Sequence, residues 1–337
     1  MIKEAIAALA SGDSLTGEQA AQVMQEIMEG EATPAQFGAF VTALRLKGET
    51  VDEIVGLART MKAKAIPVIT DGLVVDTCGT GGDGSHTFNI STTAAFVAAG
   101  AGLKVAKHGN RAVSSQCGSA DVLEALGVKI DLNAEQVQRC LKEVGIGFMF
   151  APVFHPAMKY AAVPRREIGI RTVFNILGPL TNPAGAKAQV LGVGDESLIE
   201  KLALVLQGLG CQHALLVHGE DGLDEITITG KTHVCELKNG RIKRYAVSPK
   251  DFGLSRASPD SIKGGDTKAN ADFLRNILAG ALVPQRDVVL MNAAAALVVG
   301  DKAKTFQQGV AIAKEVIDNG KASAKLDQLI ELSRSLG

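Results

Sequence analysis

From residue 73 onward, short apolar runs at 73–75, 103–106, 128–130, 146–150, 189–193 and 214–217 alternate with helix-patterned stretches. Runs this short and this apolar read as strands buried on both faces, and the stretches between them as crossover helices. The rhythm predicts an α/β architecture with a mostly parallel central sheet, whose ligands sit at the carboxyl ends of the strands. Residues 227–229 and 233–237, then 241–247 beyond Asn239-Gly240, read as antiparallel hairpins. The turn-rich stretch 178–185 reads as a hinge or interdomain crossing.

The first 65 residues lack that rhythm. They carry three capping boxes, Thr16 with Gln19, Thr33 with Gln36 behind Pro34, and Thr50 with Glu53. Behind each comes a stripe at helical spacing, such as Ala20, Val23, Met24, Ile27 and Met28, or Phe37, Phe40, Val41 and Leu44. A chain of 337 residues is long enough for two domains. The expected division is a small N-terminal helical domain over 1–70 and a large α/β domain over 71–337.

Lys and Arg number 35 against 36 Asp and Glu, so no global positive field favours nucleic acid or an anionic membrane. Met1-Ile2-Lys3-Glu4 is charged where a secretory signal needs an apolar core. The uncharged stretch 288–300 is shorter than the ~20 residues a membrane helix requires. Five cysteines without a C-x-x-C fit a reducing cytoplasm better than a disulfide framework.

Gly79-Thr80-Gly81-Gly82-Asp83-Gly84 satisfies G-x-G-x-x-G, but a dinucleotide site needs an acid at the end of the next strand, and Lys107-His108 stands there. Bare amides at 79–83, ahead of a helix opened by Asn89-Ile90-Ser91-Thr92, suit an anion; an ordinary glycine-rich turn is the alternative. The second cluster, Lys107-His108-Gly109-Asn110-Arg111 through Ser114-Ser115, follows the next strand. Together the two loops suit a molecule bearing two or more phosphate groups.

These runs, with Gly118-Ser119-Ala120-Asp121, His155-Pro156-Ala157-Met158, Arg165-Arg166-Glu167, the stretch 171–184 and His218 to Glu225, closely resemble the anthranilate phosphoribosyltransferase family over essentially the whole chain. The resemblance implies a helical domain joined by part of 165–185, a large α/β domain, and a homodimer formed through the helical part. It implies transfer of the 5-phosphoribosyl group of 5-phosphoribosyl diphosphate to the amine of anthranilate, in tryptophan biosynthesis. By the same resemblance Gly79, Gly82, Asp83, Thr87, Asn89, Ser91, Thr92, Lys107 and Ser115 bind phosphoribosyl diphosphate. Gly79, His108, Asn110, His155, Met158, Arg165 and Gly178 bind anthranilate, and Ser91, Asp224 and Glu225 hold Mg2+. No residue is assigned as a dedicated acid or base, because an arylamine is already a neutral nucleophile. A pyrimidine nucleoside phosphorylase and a catalytically silent phosphoribose-binding relative are the competing readings; Asn110, the run 165–184 and Asp224-Glu225 speak against the first.

Overall fold

Each of the three boxes caps a helix. In the computed structural model, which describes residues 1–112 and 116–337, the side chains of Thr16, Thr33 and Thr50 accept from the amides of Gln19, Gln36 and Glu53. Those three side chains reach back to the cap amides in turn. The helices are α2 (Gly17–Glu29), α3 (Pro34–Lys47) and α4 (Val51–Ala63), preceded by α1 (Ile2–Ala10). The chain then alternates through β1 (Val74–Gly79), α5 (Ile90–Gly100), β2 (Lys104–Gly109), α6 (Ser119–Leu126), α7 (Ala134–Glu143) and β3 (Ile146–Phe150). Three helices, α8 (Ala151–Phe154), α9 (Lys159–Ile168) and α10 (Phe174–Leu180), lead to β4 (Ala188–Gly192), α11 (Ile199–Gly208) and β5 (His213–Gly219). The hairpin β6 (Thr232–Lys238) and β7 (Arg241–Val247) precedes α12 (Thr267–Leu278), α13 (Pro284–Val299), α14 (Phe306–Asp318) and α15 (Lys321–Ser335).

The seven strands form one sheet in the order β3-β2-β1-β4-β5-β6-β7. Its first five strands run parallel, and β6 and β7 are antiparallel additions. This is the small N-terminal helical part plus large α/β part with a mostly parallel sheet that the sequence implies. Strand alternation divides the apolar residues between two cores. Leu215, Val217 and Val234 face the core built with α5, α13 and α15. Ala214, Leu216, Cys235 and Leu237 face a second core, which continues through Leu202 and Leu206 of α11 into Leu57, Phe40 and Met24 of the N-terminal helices.

The structure corrects three local expectations. Residues 128–130 form no strand; the Lys129 amide donates instead to the Ser333 hydroxyl of α15, 3.0 Å away. Residues 227–229 form no hairpin strand either, because the hydroxyls of Thr227 and Thr229 both donate to Oδ2 of Asp221, which curls the segment. Gly178, Pro179 and Leu180 belong to α10, so the turn in this stretch begins only after Leu180. No helix among the described residues is long and apolar enough to cross a membrane.

Candidate active site

The strand order reverses at β1. The chain steps outward to β2 and β3 and then returns to β4 on the other side of β1, which opens a crevice at the carboxyl ends of β1 and β4. Gly79 and Gly192, the last residues of those two strands, are register partners. A Cβ on either would collide with Asp224, so the paired glycines make the slot through which that residue enters. Asp224 and Glu225 follow the turn beyond β5, and the segment is pinned by the buried Asn292 of α13. The side chain of Asn292 accepts from the Ile226 amide and donates to its carbonyl, each at 3.0 Å.

Both carboxylates bind the elements the sequence assigns to phosphate. Oδ2 of Asp224 accepts from the Gly81 amide at 2.8 Å, and Oε1 of Glu225 accepts from the Ser91 amide in the first turn of α5 at 3.1 Å. Lys107, 3% exposed, donates to the Thr77 carbonyl and to Oγ of Ser91. Burial raises the pKa of Asp224 and of Glu225; Asp83 adds repulsion at the first and Asp224 at the second. Three crowded carboxylates favour a cation beside them. Oε2 of Glu225 takes no hydrogen bond from a described residue, and the Asp224 carboxyl lies against that of Asp83. Such hard oxygens fit Mg2+, which is held by one or two carboxylates together with waters and substrate phosphates. Among the described residues no group of three or more His, Cys, Asp and Glu is arranged to hold a metal.

The remaining phosphate-side residues are spread around this centre. Asn89 occupies the position before α5 without capping it through its side chain, which donates to the Cys117 carbonyl at 3.0 Å and leaves Oδ1 buried without a partner. The side chain of Thr92 is enclosed in α5, leaving its amide, in the unpaired first turn, as the group it can offer. Thr87 bridges to Lys263. Arg111, part of the basic cluster in the sequence, is engaged by Glu124 and Asp121, so Lys107 is the cation of that cluster that reaches α5. Ser115 lies outside the described residues.

The second group gathers near β2 and α10. His108 and His155 lie with ring centroids 5.0 Å apart, and Nδ1 of His108 is 3.2 Å from the Gly178 carbonyl. A carbonyl only accepts, so Nδ1 carries the proton and Nε2 is left as an acceptor. Burial lowers the pKa of His108 to about 3, with His155 adding to the shift, and burial lowers that of His155 to about 4. Nε2 of His108 and both ring nitrogens of His155 are buried without a partner. Arg165 lies over the Phe174 ring at 5.4 Å, and Met158 packs against the second core. Asn110 is exposed and bonds the Arg111 amide. Among the described residues neither Arg165 nor Asn110 shares a hydrogen bond with the two histidines.

Several members of the site carry no local signal in the sequence. Thr80 accepts from the Gly194 amide at 3.0 Å. Asn182 joins the buried Asp76 to the Ala106 carbonyl, both at 2.8 Å. Arg171 donates to the glycine loop. Turn formers around 182 and 194 were the one available cue, and they do not name a partner.

The family model "Glycosyl transferase family, a/b domain" matches residues 71–323, and "Glycosyl transferase family, helical bundle domain" matches residues 3–65. Proteins named anthranilate phosphoribosyltransferase from Dehalococcoides mccartyi and Chloroflexus aurantiacus are each 61% identical. The first alignment covers 100% of this chain and 99% of the relative, and the second 99% of both. The crystal structure of anthranilate phosphoribosyltransferase from Thermus thermophilus superimposes with a TM-score of 0.93 at 43% identity, covering 98% of this chain and 99% of that one. The Saccharomyces cerevisiae enzyme in complex with PRPP and Mg gives 0.91 at 29% identity over 99% and 98%.

Proposed function

The chain belongs to the anthranilate phosphoribosyltransferase family, and from that premise we propose which of its residues transfer the 5-phosphoribosyl group from 5-phosphoribosyl diphosphate to the amine of anthranilate, releasing diphosphate. The observation that carries the assignment is the joint between the glycine loop and the carboxylates, Gly81 to Asp224 and Ser91 to Glu225. Asp224, Glu225 and the Ser91 hydroxyl are the residues that would hold Mg2+. When bound, the ion supplies charge neutralisation for the diphosphate.

Breaking the bond from the anomeric carbon to diphosphate builds positive charge on the sugar and negative charge on the leaving group. Gly79, Gly82, Asp83, Thr87, Asn89, Ser91, Thr92 and Lys107 line the phosphoribosyl diphosphate, with Ser115 the ninth residue of that set. The free amides of the loop and of the α5 N-terminus face the phosphates, and the buried Lys107 ammonium adds a fixed positive charge. At the other end Arg165 pairs with the anthranilate carboxylate, while His155, Met158, Asn110 and Gly178 shape the pocket. Nε2 of His108, an acceptor by its bond to Gly178, receives an N–H of the arylamine and turns the nitrogen lone pair toward the sugar. Positioning and electrostatics supply most of the acceleration.

We further propose Met1 to Thr70 and Asp71 to Gly337 as the two domains. Part of 165–185 joins the helical domain, a reading supported by Phe174 and Leu177 of α10, which pack in the core shared with the N-terminal helices. Exposed Leu46 on α3 and Tyr160 and Val163 on α9 support a homodimer through this side, which sedimentation of the full chain tests. The unpaired cysteines support a cytoplasmic location; fractionation of source cells tests it. The decisive assay is diphosphate release: it is expected only when anthranilate, phosphoribosyl diphosphate and magnesium are all present. Release without anthranilate would sink the assignment.

A further inference from the structure

Arg171 stands between α9 and α10, at the edge of the crevice. Its neighbour Thr172 is buried, and the Thr172 amide donates to the Asn175 side chain at 2.9 Å, so the backbone that carries the arginine is fixed. From there Nη2 donates to the Gly81 carbonyl at 3.0 Å and to the Thr80 carbonyl at 3.4 Å. The guanidinium fills the space beside Gly82, where a Cβ would collide with Nη1 and where φ is +75°.

The planar trans peptide directs its C=O and N–H to opposite sides. In the peptide joining Thr80 to Gly81, the carbonyl is held by Arg171 and the amide by Asp224. One peptide unit is thus clamped between the arginine and a proposed metal ligand. In the next peptide Arg171 holds the Gly81 carbonyl, which turns the Gly82 amide away from the guanidinium; that amide makes no hydrogen bond to a described residue.

We propose that Arg171 is a positioning residue for the phosphate loop: by holding the carbonyls of Thr80 and Gly81 it aims the Gly82 amide at phosphate and locks the loop to Asp224. Two demands keep Gly82 a glycine: its φ of +75°, and the guanidinium that a Cβ would displace. The inference rests on the reading of residues 79–83 as the phosphate-binding loop for phosphoribosyl diphosphate. Both contacts come from the one nitrogen Nη2, and the planar guanidinium, packed beside Gly82, fixes where that nitrogen sits in a way a flexible lysine ammonium does not reproduce.

The test is a double-mutant cycle on the full chain, with Arg171→Ala, Gly82→Ala and both together, plus Arg171→Lys. Binding of phosphoribosyl diphosphate is measured calorimetrically with magnesium present, and both Michaelis constants are measured in the assay. Arg171→Ala is expected to weaken phosphoribosyl diphosphate about 10-fold or more, to leave the anthranilate constant within about twofold, and to be rescued little by lysine. A merely structural role would move both constants together. Gly82→Ala should cost less in the Arg171→Ala background than alone, the backbone strain at φ +75° remaining in both and the clash with the guanidinium only in the latter. Wild type that binds while Arg171→Ala matches it, or an additive cycle, overturns the role of Arg171 alone. Wild type that fails to bind the diphosphate substrate overturns the loop's reading together with it.

Discussion

At the phosphate end of the crevice the carboxylates of Asp224 and Glu225 each already hold a backbone amide, whereas at the acceptor end three ring nitrogens of His108 and His155 are buried with no partner. The difference follows from charge. A charged group withdrawn from water without partners is costly, so the phosphate side is bonded into the fold before substrate arrives. A neutral imidazole left unbonded costs only about 1–3 kcal/mol, which a ligand supplying an N–H or an acceptor returns on binding. The phosphate side is therefore anchored to the fold at two amides, with Oδ1 of Asn89 and the Gly82 amide left open among the described residues, while the open groups of the acceptor side are all imidazole nitrogens.

The comparison breaks most visibly if its charged half is removed. Asp224→Asn combined with Glu225→Gln is expected to lower kcat/KM about a thousandfold, since holding the ion is worth several kcal/mol of transition-state stabilisation. The same change relieves crowded carboxylates, so the metal-free chain should unfold at an unchanged or higher urea concentration. Activity close to wild type at limiting magnesium would remove the pair from the site.

A smaller effect is expected at Arg165, the one permanent charge assigned to the acceptor end. Arg165→Ala should raise the Michaelis constant for anthranilate by roughly 10- to 150-fold and change that for phosphoribosyl diphosphate little, the loss of one charge-assisted contact of about 1.5–3 kcal/mol. The reverse pattern would exchange the two ends.

The least of the three sharpens the contrast without substrate. His155 is neutral in the fold, with its pKa lowered to about 4 by burial, while the unfolded chain takes a proton near the ordinary histidine value of about 6.5. Falling pH then favours the unfolded state, from about pH 6.5 down to the folded value. By pH 5 the loss is about 2 kcal/mol for this one residue. In urea unfolding, the stability of His155→Gln relative to wild type should improve by about that amount between pH 7 and pH 5; a pH-independent difference would mean that the fold leaves the imidazole's pKa unshifted.

What the sequence discloses here is what is decided locally. The boxes at Thr16, Thr33 and Thr50 are legible because both partners of each lie within one turn. The glycine loop and Asp224-Glu225 are legible as chemistry, though not as neighbours. Val128 to Ile130 looks like a strand because apolarity alone does not say whether a sheet edge is waiting. The threonines at 227 and 229 look β-forming until Asp221 captures their hydroxyls. Arg171, Asn182 and the Gly79 with Gly192 pair are invisible locally, since each acts on a residue about a hundred positions away in the chain.

The second core has a consequence for how the chain is made. The N-terminal helices close part of their apolar surface on one another, but the rest lies against α11 and the sheet strands beyond it. During synthesis α4 is complete at Ala63, and α11 begins only at Ile199. At roughly 5–20 residues per second that interval is on the order of ten seconds. For that time the nascent chain presents an uncovered apolar face, and the first helices reach their final packing only after α11 and the strands beside it have been made.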